Sequence, residues 1–252
     1  MIASFIWYLG LACTFLGILL VVRPIRWLGV PTRRRAAVVT LAGLALATVS
    51  TTVGGSVQRV TRPTSLLDRY FPVYQFSEDH SVVVRATPEQ TYKAIFAVTP
   101  EEISFYRALT WLRCFGRSGP PSIMNPPAGQ PIMQMALTSF RKLAEAPNEE
   151  IVFAGFVAAP AGALSRSWTL DSYAALEDPG FAKVAMSFRL GSAGLGDVAL
   201  HTETRVYVTD RATQRIFTVY WRTIYPGSSL LRYTWLQAIK ARAERASIIA
   251  PL

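Results

Sequence analysis

The chain has 252 residues, with 26 lysines and arginines against 16 acidic residues and a formal net charge of +10 at pH 7. Five of the basic residues and none of the acidic residues precede Gln58. Residues 58–252 therefore carry a net charge of +5, which is half of the total. A nucleic-acid-binding domain would concentrate basic charge on its own surface, which argues against a nucleic-acid partner. The chain has two cysteines and two histidines, too few for a zinc site made by the protein. We expect no metal and no cofactor.

Two long apolar runs lie in the first 67 residues, which contain no aspartate or glutamate. They are Ile2–Val22 and Ala36–Val57, and neither contains a charged residue. A helix of such length reaches roughly 30 Å, about the thickness of the hydrocarbon core of a bilayer. The connecting loop, residues 23–35, holds five arginines. The pattern predicts a transmembrane helical hairpin over residues 1–57, with the lipid bilayer as its partner.

The arginines of the loop also predict an orientation. No lysine or arginine precedes the first span, so the positive-inside rule places loop 23–35 in the cytoplasm and the C-terminal domain outside. The threonines, serines and glycines of the second run favour close packing against the first span. The alternative for the second run is the core of a processed signal peptide, because Arg33–Arg35 precede an alanine-rich apolar stretch.

Residues 58–77 are predicted to be a juxtamembrane linker, after which regular secondary structure begins. His80–Ala86 alternates as a half-buried strand does, with Val82 and Val84 on one side. Thr87–Gln90 and Thr99–Glu102 each combine a threonine N-cap, a proline at the first helical position and an acid in the first turn, and each predicts a helix. After a proline-rich loop, the further short elements predicted are a helix over Pro131–Glu145, strands over Ile151–Ala158 and Ser165–Leu170, and a short helix over Asp171–Glu177.

Two long strands, Ala182–Leu190 and Val198–Val208, each have an apolar side and a charged side. This pattern is typical of an antiparallel sheet with one face on the core and one in solvent. His201, Glu203 and Arg205 fall on the charged side, where cross-strand ion pairs are the expected role. A long helix is predicted to follow Asp210, with an interruption at Pro226–Ser228.

The order of these elements predicts an α+β fold of the helix-grip type. In this arrangement an antiparallel sheet wraps around a long C-terminal helix, here preceded by two transmembrane helices. A sheet with one apolar face and a single long helix to cover it should enclose a cavity.

Three stretches of the domain carry a resemblance to a known family. They are SVVVRATPEQTYKAIFAVTPEEI, DPGFAKVAMSFRL and HTETRVYVTD, the last running directly into the final helix. In this order they resemble the START-like superfamily, also called SRPBCC, which includes polyketide cyclases, dehydrases and lipid-transfer proteins. The resemblance covers about Gln75–Arg245, and residues 78–247 are assigned to this domain. It implies an apolar ligand in a tunnel between the sheet and the C-terminal helix.

The candidate ligand-binding residues lie on the apolar side of the predicted sheet and on the facing helix. They are Val82, Val84, Phe153, Met186, Phe188, Thr202, Thr204, Leu231 and Trp235. The hydroxyl groups of Thr202 and Thr204 are suited to orienting the polar end of a ligand. Plain core packing is the alternative for the whole set.

The leading hypothesis is a membrane-anchored, non-catalytic binding domain for a lipid or other hydrophobic small molecule, and no catalytic residue is assigned. The enzyme alternative, a cyclase, dehydratase or hydrolase, requires titratable groups on the apolar side. Arg166, Asp171 and Tyr173 are the first candidates for that role. A third alternative, an interaction module of a membrane complex, predicts a filled core and a large exposed apolar patch. The sequence identifies no protein partner.

Overall fold

The computed structural model describes residues 2–25, 27, 29–52, 54–117, 119–163, 168–194 and 196–249. It divides into two compact units, Met1–Gly55 with Gln214–Thr223, and Ser56–Thr213 with Ile224–Leu252. The helices are α1 (Ile2–Val22), α2 (Arg33–Thr52), α3 (Leu66–Tyr70), α4 (Pro88–Ala97), α5 (Tyr106–Arg113), α6 (Ile132–Ser139), α7 (Leu170–Ala175) and α8 (Arg211–Ile249). The strands are β1 (Gln58–Arg59), β2 (Val73–Tyr74), β3 (Phe76–Val84), β4 (Arg141–Ala146), β5 (Glu150–Ala158), β6 (Ala182–Gly194) and β7 (Asp197–Val208).

In the first unit, α1 and α2 form an antiparallel hairpin whose backbones touch at small residues. A Cβ atom on Gly10 would lie 2.6 Å from the backbone nitrogen of Ala47, and one on Gly43 would lie 2.5 Å from that of Thr14. Larger side chains would therefore force the helices apart. Close approach at glycine and threonine is how helices associate where lipid removes the hydrophobic driving force.

Among the described helices, α1 contains the segment long and apolar enough to cross a membrane, Ser4–Val22. The second apolar run is helical from Arg33 rather than Ala36, and residues 54–57 lie outside the helix. The helix therefore differs from the predicted span at both ends. A second span and the orientation of the loop stay predictions.

Helix α8 runs without a break through Pro226, so the predicted interruption at Pro226–Ser228 is wrong. Proline has no N–H to donate to the carbonyl four residues earlier, which here is Arg222 O. That carbonyl instead accepts a hydrogen bond from the Tyr8 hydroxyl at 2.6 Å. A partner distant in sequence thus satisfies the acceptor that proline leaves open.

The second unit is built on a five-stranded antiparallel sheet in the order β3-β7-β6-β5-β4. This sheet and the long C-terminal helix confirm the α+β class. Its inner face is the side that contacts α8, where Trp235, Leu236 and Ile239 pack into the same core as Phe153 and Phe188. Helices α4 and α6 close this core; α4 begins at the predicted capping box, in which Thr87 Oγ1 accepts from Gln90 N.

The opposite side, the outer face, is not the solvent face that the sequence predicts. Leu67 and Phe71 of residues 58–77 pack with Val152, Ala185 and Tyr173 in a second core. The predicted linker is therefore part of the folded unit, and the strand predicted from His80, which is β3, begins at Phe76. The charged side chains of this face do not mark a solvent-exposed surface, because residues such as Arg205 and Asp68 are buried and pair with each other.

Other local predictions fail where tertiary contacts override helix propensity. The helix predicted over Pro131–Glu145 ends at Ser139, and the next residues form β4, which pairs with β5. The helix predicted from Thr99 is a short 3-10 turn, Pro100–Glu102, separated from α5 by Phe105 at φ 63°. Half of the strand predicted over Ser165–Leu170, residues 165–167, falls outside the described residues. Trp168 and Thr169 are not in a strand and Leu170 begins α7, so the described half of that prediction is wrong.

Candidate ligand-binding site

The structure brings the nine predicted ligand-binding residues together on the inner face and on α8. Five lie within the core, Val82 and Leu231 pack against it, and the strand register places Thr202 and Thr204 opposite Phe188 and Met186. The five core members are Val84, Phe153, Met186, Phe188 and Trp235, each at most 4% exposed. Their contribution to a ligand site stays a prediction, because this burial also fits core packing.

Two ionisable side chains that the sequence analysis did not assign to this face also lie there. Glu78 is 3% exposed and pairs in register with Thr204, and His80 is half-buried opposite Thr202. The period-two alternation from Val82, continued backwards, would have placed both on the apolar side. Because the predicted strand begins at His80, it leaves out Glu78.

Glu78 and His80 are held by the serines that follow Pro226 in α8. His80 Nε2 lies 3.0 Å from Glu78 Oε1 and 3.3 Å from Ser229 Oγ, while Ser228 Oγ donates to Glu78 Oε2 at 2.9 Å. Both oxygens of the buried carboxylate therefore have partners. The carboxylate and the Ser229 hydroxyl contact the same ring nitrogen, so the imidazole does not bridge them as it does in a serine-nucleophile triad.

Arg232, one turn further along α8, completes what we call the inner-face cluster, namely Glu78, His80, Ser228, Ser229 and Arg232. Its Nη1 points at the sulfur of Met186, and its Cζ lies 5.8 Å from the ring centre of Trp235. Among the described residues no carboxylate lies within salt-bridge distance of it. Burial lowers the pKa of Arg232, and the charge of Glu78 partly offsets this.

Two buried polar atoms beside this cluster have no hydrogen-bond partner in the described part of the chain. They are Thr202 Oγ1 and Trp235 Nε1, on residues that are 2% and 3% exposed. Thr202 pairs across the strands with Phe188, whose ring meets the Trp235 ring edge-on at 5.2 Å. A buried polar group without a partner costs roughly 1–3 kcal/mol, so such groups call for a specific explanation.

The residues named for the enzyme alternative do not converge on the inner face. Arg166 lies outside the described residues, and Asp171 is exposed on α7. Tyr173 is buried in the outer-face core, where its hydroxyl donates to Val184 O at 2.8 Å and burial raises its pKa. In the described ranges no group of three or more His, Cys, Asp or Glu side chains could hold a metal ion.

The charged strand residues predicted to pair in solvent form a buried network on the outer face. Arg205 is 5% exposed, donates from Nη2 to Asp68 Oδ1 at 2.7 Å and from Nε to Glu203 Oε1 at 2.6 Å. His201 is half-buried on the same face. The network joins β7 to α3, not neighbouring strands to each other.

An open surface pocket of about 370 Å³ lies near the start of α3 and the β4–β5 turn. Its deepest charge, Glu150, accepts from the backbone N–H groups of Leu66 and Leu67 at 2.7 and 3.1 Å. That carboxylate therefore holds α3 in place. Among the described residues that line the pocket, no buried side-chain polar atom lacks a hydrogen-bond partner.

No protein-family model matches the chain, and no curated protein is detectably similar to it. Similar solved structures include protein MLL2253 from Mesorhizobium loti, with 13% identity over 68% of this chain and 98% of that chain and a TM-score of 0.32. The hypothetical protein jhp0584 from Helicobacter pylori has 10% identity over 73% and 98%, with a TM-score of 0.37. CalU16 from Micromonospora echinospora has 12% identity over 77% and 95%, with a TM-score of 0.27. These likenesses assign neither a family nor a function.

Proposed function

We propose that this protein is a membrane-anchored binding protein for a lipid or other hydrophobic small molecule, held between the sheet and α8. The observation that carries the proposal is the pair of unpartnered polar atoms, Thr202 Oγ1 and Trp235 Nε1, within an otherwise apolar inner face. A binding site is a mostly apolar surface with a few convergent polar groups, which is the composition found here. The helix-grip and START-like assignments, carried by the order of elements and the three quoted stretches, belong to this proposal.

The accessible part of the inner face supports the same reading. His80, Val82, Leu231 and Arg232 keep accessible surface, whereas Phe153, Phe188 and Val84 are fully buried. An occupant would therefore enter beside α8 and lie against the fully packed floor of the sheet.

Native mass spectrometry of the full chain, released from detergent micelles, tests the proposal. We expect an adduct of defined mass that organic extraction removes and that a Thr202→Val, Trp235→Phe double variant retains less well. A matched variant, Tyr173→Phe on the outer face, should keep it. A chain without any adduct, which also binds no added fatty acid or lipid, would refute the proposal.

The membrane part of the proposal has two spans, α1 and α2, with loop 23–35 in the cytoplasm and the domain outside. Its support is the apolar α1, the close packing of α2 against it and the five arginines of the loop. A phosphatase that is active only outside the cytoplasm, fused after Leu252, should be active, and a cytoplasm-dependent fluorescent protein should stay dark. The reverse pattern would overturn the orientation.

An enzyme acting on an apolar substrate is the second candidate, favoured by the Glu78–His80 pair on the inner face. A carboxylate and an imidazole in contact are a possible acid–base pair. Mass analysis of lipids incubated with the full chain would reveal a converted product that Glu78→Gln and His80→Gln abolish. Unchanged lipids that bind equally well would leave binding as the function.

A further inference from the structure

We propose that the ligand has an anionic end and that Arg232 binds it, which rests on the proposed function and narrows its ligand class. Arg232 lies on α8 beside Met186 and Trp235 and keeps part of its surface accessible. A guanidinium presents five donors, and here a thioether, a poor acceptor, takes the contact of Nη1. The remaining donors have no carboxylate at salt-bridge distance in the described ranges.

The nearby carboxylate of Glu78 does not form a salt bridge with Arg232. Glu78 is close enough to raise the pKa of Arg232, but its two oxygens already accept from His80 or Ser228 and face those groups. Arg232 is half-buried, and burial lowers its pKa. A carboxylate or phosphate group there would form the charge-assisted, bidentate hydrogen bonds that suit a guanidinium.

Thr202 and Trp235 define where the rest of the polar end lies. Trp235 Nε1 is a donor without an acceptor, and the Arg232 guanidinium stands 5.8 Å from the same ring system. An anion that accepts from Arg232 therefore has a second donor nearby, while Thr202 Oγ1 takes either role. The chain of the ligand would then lie against Val82, Leu231 and Phe188.

The test compares dodecanoate, dodecyl phosphate and dodecanol binding to the full chain in phosphatidylcholine nanodiscs, with empty nanodiscs correcting for partitioning. We expect Arg232→Gln to weaken dodecanoate or dodecyl phosphate about 10- to 100-fold and to leave dodecanol unchanged. Arg242→Gln, on the same helix but paired with Glu102, is the matched control and should change nothing. The arm that loses more affinity identifies carboxylate or phosphate.

Equal binding of dodecanol and the two anions, unaffected by Arg232→Gln, would overturn the anionic inference and leave the proposed function standing. Absence of binding by all three would instead remove the proposed function. Because Arg232→Gln is near the core, Arg232→Lys serves as a second variant, which should keep the charge and recover part of the affinity.

A separate observation leads us to infer that the surface of α5 contacts an anionic membrane. This α5 surface consists of Phe105, Trp111, Leu112 and Phe115, all strongly exposed, with Phe115 at 90%. Aromatic and leucine side chains that flank basic residues on a short amphipathic helix are typical of elements that lie in the headgroup region of a bilayer.

The basic residues on and near α5 favour an anionic membrane as the partner of this surface. Residues 103–144 contain no acidic residue, and Arg107, Arg113 and Arg117 lie on α5 or just after it, with Arg107 already paired with Glu101. A longer acid-free stretch is the first 67 residues, which hold the predicted spans. Anionic lipid attracts such segments, by about fivefold in partitioning for each basic residue near the surface.

An environment-sensitive NBD fluorophore on Phe115→Cys, in a Cys13→Ser, Cys114→Ser background of the full chain, tests this contact. In vesicles containing phosphatidylglycerol we expect a blue-shifted emission that spin-labelled lipid quenches, and a weaker effect in phosphatidylcholine alone. A label on Ala193→Cys, exposed at the end of β6, should stay in water in both. Arg117→Gln should lower the partitioning about fivefold.

A label at Phe115→Cys that stays in water in both vesicle types would overturn the membrane contact and favour a protein partner for this surface. Trypsin cleavage after Arg113 and Arg117 in the unmodified chain gives an independent measurement. We expect phosphatidylglycerol vesicles to slow it relative to phosphatidylcholine, and equal rates would contradict the inference.

Discussion

The two faces of the sheet both bury polar and charged groups, but they treat them differently. On the outer face Arg205 pairs with Asp68 and Glu203, Lys183 Nζ donates to Leu176 O at 2.8 Å, and Glu150 accepts from two backbone N–H groups. On the inner face Arg232 has a thioether as its contact, and Thr202 and Trp235 keep unpartnered atoms.

This difference separates polar groups that hold the fold from those available to a ligand. A buried group with all its partners in the protein contributes to the structure, and a ligand could only compete with those partners. A buried group without partners destabilises the empty protein, and an occupant relieves that cost. The outer face is therefore a structural interface, and the inner face is the candidate site.

Replacing Arg205 and Arg232 in turn tests this difference between the faces most directly. Arg205→Leu should lower the free energy of unfolding by about 3–5 kcal/mol, because it strands two carboxylates. Arg232→Leu should change it by less than about 1 kcal/mol or stabilise the protein, since it removes a desolvated charge without a carboxylate partner. Denaturant titrations of the full chain in detergent measure both, and equal losses would abolish the distinction between the faces.

Acid should weaken the outer face. Burial alone would raise the pKa of Asp68, but hydrogen bonds from Thr64 N–H and Arg205 lower it from 3.8 to about 2. A carboxyl whose pKa falls on folding stabilises the protein above its unfolded pKa and loses that stabilisation between about pH 4 and pH 2. The loss should be about 2 kcal/mol. Asp68→Asn should make the free energy of unfolding nearly independent of pH over this range. An unchanged dependence on pH would contradict the assignment to Asp68.

On the inner face, Glu78→Gln tests a buried carboxylate whose two oxygens both have hydrogen-bond partners. The amide keeps a single acceptor for His80 or Ser228, so we expect a loss of about 1–2 kcal/mol in the free energy of unfolding. Asp79→Asn, on the neighbouring position of the same strand, serves as a control whose effect should be within about 0.5 kcal/mol. Comparable losses would mean that burial of Glu78 contributes nothing.

The smallest expected effect compares two buried hydroxyl groups. Tyr173→Phe removes a hydroxyl that donates to Val184 O and should cost about 1 kcal/mol. Thr202→Val removes an unpartnered hydroxyl and should be neutral or stabilise the protein by up to about 1 kcal/mol. Thermal melts of the ligand-stripped chain resolve the sign, and a destabilised Thr202→Val would show that its hydroxyl has a partner.

Much of the fold and the floor of the site could be predicted, because they depend on patterns within a few residues. The alternation along β6 and β7 placed Phe188 and Thr202 on one face, and the Thr87–Gln90 pattern placed the start of α4. Glu78 was missed because the predicted strand begins at His80, four residues after the observed start at Phe76. His80 was missed although it lies two residues before Val82 on the same side of the strand. Arg232 was missed because it stands out by having no carboxylate at salt-bridge distance among the described residues. A sequence pattern cannot show which side chains come close together in the fold.

The sequence by itself determined the apolar N-terminal helix, the side-chain alternation of the strands and the helix starts, since each is set by near neighbours. Only the tertiary structure decided that both faces of the sheet are covered and that α8 continues through Pro226. Glu150 binds the backbone of Leu66, and the Tyr8 hydroxyl binds Arg222 O, across separations of 84 and 214 residues. A charge or a proline has a local meaning only until a distant partner satisfies it.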